Sequence, residues 1–168
     1  MDGSTRAQEP ADGSEGDIVV GWLRFHRDAL ANKATGLTPE QLTTAAAPPS
    51  TMTILGLVRH MTEMERVYGA WAIGGTGDLT FVYGDYVDDG PEWDFDVDPS
   101  MVEESMANWR HERDATDRAL AKTGSLDSIG TGNGRSVRWN LHKLVGEYAR
   151  HNGHADIVRE RIDGSTGE

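Results

Sequence analysis

The sequence predicts an all-α protein, a four-helix bundle with a long connection between its second and third helices. Three observations predict it. Four segments repeat apolar residues at helical spacing. Their ends carry capping residues or glycine and proline stops. No convincing strand appears; the nearest is a short extended piece allowed from Leu79 to Tyr86.

Residues Met1 to about Glu15 are mostly Gly, Ser, Asp, Glu, Pro and Ala, with almost nothing to bury, and read as a disordered leader. The remainder, 16–168, has the length of one domain. The first helix runs roughly from Gly16 to Thr35, with Ile18, Val19, Trp22, Ala29 and Leu30 on one side. Leu37-Thr38-Pro39-Glu40 looks like a short second start, closed by Pro48-Pro49. Ser50 or Thr51 then caps a helix on which Ile54, Leu57, Met61, Met64, Tyr68 and Trp71 repeat until Gly74-Gly75. The next helix begins at Asp98-Pro99-Ser100, where Ser100 and Glu103 have capping-box spacing. Its inner side carries Val102, Met106, Trp109, Arg113 and Leu120, and Gly124 ends it. The last helix spans about Ser136 to Ile162, with Leu141, Leu144, Tyr148, Ala155, Val158 and Ile162 as its stripe. The connection from Gly75 to Asp98, about 24 residues, is of a length that is uncommon and often functional.

A net charge of −12 argues against nucleic acid or an anionic membrane as partner, since either needs a concentrated basic surface. No run approaches the ~18 apolar residues of a membrane span, and no signal peptide is visible, so a cytosolic protein is expected. There are no cysteines. That removes disulfides, thiolate metal ligands and cysteine nucleophiles together, so any thiol in the chemistry arrives with a substrate.

The helical period sorts the six histidines. At ~100° per residue, Glu147, His151 and His154 fall within roughly 60° of each other at the edge of the last apolar stripe. His142 lies on the opposite side, and His111 lies opposite Val102 and Leu120. His60 sits beside Leu57, Met64 and Trp71, on the inward side of its helix. His26 also falls among apolar neighbours. An inward glutamate is more telling, because Glu is almost never buried unless paired or coordinated. Glu147 and His151 have the i, i+4 spacing that lets two side chains on one face hold one ion. Imidazole and carboxylate together suit zinc, iron, nickel or manganese. His60, Glu147 and His151 would leave coordination positions open, as in a catalytic site. A height check supports the pairing: His60 stands roughly 21 Å from the end of its helix and His151 roughly 22 Å from the start of its own, so antiparallel helices bring them level. The bland alternatives are a histidine hydrogen-bonded in the core, and a solvated Glu147 paired with Arg150 or Arg159.

Two segments, Met52-Thr-Ile-Leu-Gly-Leu-Val-Arg-His60-Met and Glu147-Tyr-Ala-Arg-His-Asn-Gly-His-Ala-Asp156-Ile-Val-Arg-Glu-Arg-Ile-Asp-Gly164, resemble the DinB-like superfamily. They are most similar to its actinobacterial branch of mycothiol-dependent transferases and the mycothiol-dependent maleylpyruvate isomerase. The likeness covers roughly residues 17 to 164 and is most specific from Arg150 to Gly164. The resemblance implies an up-down-down-up four-helix bundle, often dimeric. It also implies a metal held by a histidine of helix two and two ligands one turn apart on helix four. The common superfamily pattern has His at both helix-four positions. Glu147 in the first is the pattern of the mycothiol-dependent branch, and it favours thiol transfer. The isomerase has a further C-terminal domain that this sequence lacks, which argues against isomerase activity.

The leading expectation is therefore a metal-dependent thiol S-transferase. It would bind a divalent metal, zinc first, with nickel or iron as alternatives, and a low-molecular-weight thiol such as mycothiol would attack an electrophile. Glu63 and His154, each within a turn of a ligand, would orient the ligands or move a proton. Tyr83 and Trp93 would line the pocket, with Trp71 and Trp109 more readily explained as core. A homodimer is expected. The rivals are a metal-dependent hydrolase using metal-bound water and a non-catalytic bundle that binds a small molecule. Gly130-Thr-Gly-Asn-Gly134 has no preceding strand and no Lys in the P-loop position, so it reads as a connector. Asp94, Asp96 and Asp98 alternate like calcium ligands, but Pro99 sits where the loop needs glycine and Ser105 where it needs Glu. That acidic loop reads as solvated, or as a lid disfavouring anionic substrates.

Overall fold

A computed structural model describes residues 7–84 and 95–166 of the chain. Among them the elements are helical, with no strand and one isolated bridge between Ile129 and Ser136. Helix α1 is Glu15–Ala34, started by a reciprocal box in which Ser14 takes the Asp17 N–H and Asp17 takes the Ser14 N–H. Ahead of it, the Ala7 N–H donates to Asp28, so residue 7 already lies against α1. The short α2, Pro39–Leu42, has the same kind of box between Thr38 and Gln41.

Helix α3, Ile54–Met64, continues through a π-helical stretch, Glu65–Ala70, into α4, Trp71–Gly74. Its cap is Thr53, not Ser50 or Thr51. The chain stays extended as far as Thr53, whose hydroxyl accepts the Gly56 N–H, while Ser50 is spent on the Met52 N–H. The next start also differs from expectation. Asp98, not Ser100, takes the free N–H there; Pro99–Met101 is a 3-10 turn, and α5 runs Val102–Ala121, stopping before Gly124. Helix α6 is Val137–Asp163, capped by Ser136 and closed by Gly164 in the left-handed conformation.

Contacts between side chains set the relative directions. Arg138 meets Glu15, Asn152 meets His26 and Lys33 meets Asp156, so α6 runs parallel to α1. His60 lies against His151 while Tyr68 lies against Trp139, so α3 and α6 are antiparallel. Arg59 touches Met101, Arg66 pairs with Glu112 and Gly74 faces Ala119, so α3 and α5 are parallel.

The core is apolar at Leu23, Leu30, Ile54, Leu57, Met61, Leu144, Ala155 and Val158, but a polar network crosses it. Arg27 grips Glu65 through Nε and Nη2 at 2.6 and 2.7 Å. The Tyr148 hydroxyl donates to Glu65 at 2.7 Å, and the Trp109 indole donates to that hydroxyl at 2.8 Å. The Thr116 hydroxyl donates to the Glu65 carbonyl. Every long helix contributes, and all five side chains are buried. The inner side of α5 is accordingly Ser105, Trp109, Glu112 and Thr116, with Val102, Met106 and Leu120 only partly buried beside it. The stripe is more polar than expected because its partners are the buried carboxylate and the π turn.

The loop at Gly130 to Gly134 packs on the end of α4. The Thr131 and Gly132 N–H groups donate to the Ile73 and Ala72 carbonyls, and the Thr131 hydroxyl to Gly75. Its amides are therefore spent on a helix terminus, in keeping with a connector. No helix of the described residues is long and apolar enough to cross a membrane.

Candidate metal centre

The network that buries Tyr148 fixes how α6 is turned, and Glu147 and His151 project from the neighbouring side of the same turns. Helix α3 presents His60 at the same height. One ligand atom from each of His60, Glu147 and His151 lies within 4.8 Å of the others. The His60 and His151 rings are 4.4 Å apart between centroids, tilted by 55°. His151 Nε2 stands 3.5 Å from Glu147 Oε2. All three residues are partly buried.

The electrostatics suit cation binding. Burial, then the neighbouring His60 and His154, lowers the His151 pKa to about 4, so its imidazole is neutral near neutral pH. Burial alone would raise Glu147, but the hydrogen bond and charge of Lys143, together with His151 and His60, outweigh it, and the carboxyl falls below its ordinary value. A neutral imidazole and an ionised carboxylate are the forms that coordinate metals.

His154 joins the cluster from behind: its Nδ1 is 3.3 Å from His151 Nδ1. Glu63 is buried, and its Oε1 accepts the main-chain N–H groups of Val82 and Tyr83 at 2.8 and 2.9 Å. Tyr83 lies under the Arg59 guanidinium, 3.9 Å from its ring centroid. Trp93 lies outside the described residues. Trp109 is core, and the Trp71 indole donates to Gly77. His26 packs between Trp22 and Phe25 and hydrogen-bonds its carbonyl to Asn152, on a different face of α6 from the triad. His111 and His142 are exposed.

Sequence reasoning missed Lys143. Glu147 pairs with it, not with Arg150 or Arg159; Arg150 is exposed, and Arg159 turns to Asp163. The signal was present, since Lys143 stands four residues before Glu147 on the same face. A cavity of about 530 Å³ opens elsewhere, beside the start of α1. Asp17 and Arg24 are its charged lining residues, and no histidine lines it.

The sequence pattern of the Mycothiol-S-transferase family matches residues 18–164. The chain belongs to that family. No curated protein and no solved structure matches it. The match runs from within α1 to the end of α6, so the three converging residues and the helices that carry them all lie within the matched region.

Proposed function

We propose that the chain is a metal-dependent S-transferase that activates a low-molecular-weight thiol, mycothiol, for attack on an electrophile. One observation carries the reading: His60, Glu147 and His151 converge in a member of the Mycothiol-S-transferase family. His60, Glu147 and His151 would hold a divalent cation, zinc in our reading, with nickel and iron as alternatives; two imidazoles and a carboxylate suit each of these. A bound cation of this kind lowers the pKa of a thiol beside it, so that thiolate is present near neutral pH. The sulfur must come with the substrate, because the chain has no cysteine.

The chain's own residues supply positioning. With Nε2 of His151 given to a cation, its Nδ1–H would donate to His154 Nδ1, 3.3 Å away, and so hold the ring in one tautomer. Glu63 fixes the main chain at Val82 and Tyr83, and Tyr83 would line the electrophile pocket. We read the pairwise helix directions as one up-down-down-up four-helix bundle formed by the helices from α1 to α6. A cytoplasmic homodimer acting on small molecules completes the proposal, and the net charge of −12 supports a partner other than nucleic acid or an anionic membrane.

The test is turnover of a model electrophile by zinc-loaded protein, with and without thiol. Product is expected only with thiol, and a His60→Ala variant should lose both metal and turnover. Turnover without thiol would replace this reading with a hydrolase. A His60→Ala variant that binds as much metal as the parent would leave a non-catalytic bundle.

A further inference from the structure

Glu147 is held from two sides. Its Oε2 stands 3.5 Å from His151 Nε2, while its Oε1 accepts a hydrogen bond from the Lys143 ammonium one turn earlier on α6. The two oxygens therefore have separate tasks. Lys143 lies at the rim, its side chain 41% exposed against 12% for Glu147, and its ammonium is 5.5 Å from the Tyr68 ring centroid. That ring packs between α3 and α6, so the lysine is seated over the same helix pair that carries the triad.

An i, i+4 pair whose lysine stands at the solvent-facing rim does little for a fold. A glutamate side chain has three rotatable torsions, and a free carboxylate at a half-buried position turns either oxygen inward. A donor anchored on one oxygen removes that freedom and replaces the water lost on burial. Ligating carboxylates in metal sites are commonly hydrogen-bonded in this way, and the outer partner sets how they present themselves.

We propose that Lys143 is a positioning residue for the metal centre: by holding Oε1 it directs Oε2 of Glu147 toward His60 and His151. The inference rests on the metal reading above. Its opposite is definite as well, since an ammonium competing with the cation for the same carboxylate would weaken metal binding. The two roles predict opposite signs for the removal of Lys143.

The experiment is zinc titration of the full chain against a competing chelator, for the parent, Lys143→Met and Lys143→Arg, with melting of each metal-free protein as a check on folding. Lys143→Met should bind zinc ~10-fold to 100-fold more weakly, Lys143→Arg should stay within a few-fold of the parent, and the melting temperatures should agree. Equal or tighter zinc binding by Lys143→Met overturns the proposal while leaving the triad intact. An equal loss in Lys143→Arg overturns it too, because a donor at that position would then not be what matters. If the parent binds no stoichiometric zinc, the metal reading itself falls and takes this inference with it.

Discussion

Glu63 is a buried carboxylate whose one oxygen satisfies two main-chain donors of a neighbouring loop. Part-buried donors left without an acceptor are costly, so Glu63→Ala should lower stability by about 1 kcal/mol in urea unfolding. Glu63→Gln keeps a carbonyl oxygen at the same place and should lose less; an alanine variant as stable as the parent would show that the loop holds itself. At this scale the helical period was informative. It separated inward His60 and His151 from exposed His111 and His142 because each lies on a long, regular helix. Arg27 and Glu65 stayed hidden for a physical reason: a period count scores apolar residues, and a buried ion pair looks like two surface charges. Their fit is visible only once four helices are packed.

The helix that carries His60 is not α-helical throughout. Over Glu65–Ala70 it widens into π turns, which brings Gly69 against α5: a Cβ there would lie 2.1 Å from the Thr116 hydroxyl oxygen. Gly69→Ala must push α3 and α5 apart or distort Thr116, at about 1–3 kcal/mol, measurable by chemical unfolding; an unchanged midpoint would mean that the contact yields freely. The far end of α6 gives a pH signature. The Arg159 hydrogen bond, with that of the Ser165 N–H, lowers the Asp163 carboxyl from 3.8 to about 2. A folded pKa below the unfolded one means that this contribution is complete above the ordinary carboxylate range and is lost as the pH falls through about 2. A carboxyl carbon titration midpoint near 3.8 in NMR would show the last turn open instead. Helix existence was legible at this scale because the apolar stripes are long. Two start sites were not, because Thr53 and Asp98 compete with other capping residues within three positions, and only the backbone decides among them. The π stretch leaves no trace in a sequence period.

Across the whole molecule, the Arg27–Glu65–Tyr148–Trp109 network ties every long helix to one buried carboxylate. Burial pushes the Tyr148 hydroxyl well above its ordinary pKa, so it stays protonated and donates. Because Tyr148 adjoins Glu147, the network also sets the turn of α6 that aims the triad. Arg27→Met would leave Glu65 charged and buried without its partner, and should cost about 3–5 kcal/mol. A loss below about 1 kcal/mol would mean that the carboxylate is neutral or finds water. The height match of His60 and His151 followed from helix lengths together with an antiparallel pairing; the long connection's residues 85–94, with Trp93, lie outside the described residues. The central claim is that the triad presents a metal to a substrate thiol, and X-ray absorption of the zinc-loaded protein tests it most directly. The chain has no cysteine, so a thiolate bound to zinc must be the substrate's. The first shell should hold only nitrogen and oxygen without thiol, and gain one sulfur at about 2.3 Å when thiol is added. A nitrogen and oxygen shell unchanged by saturating thiol would contradict the account.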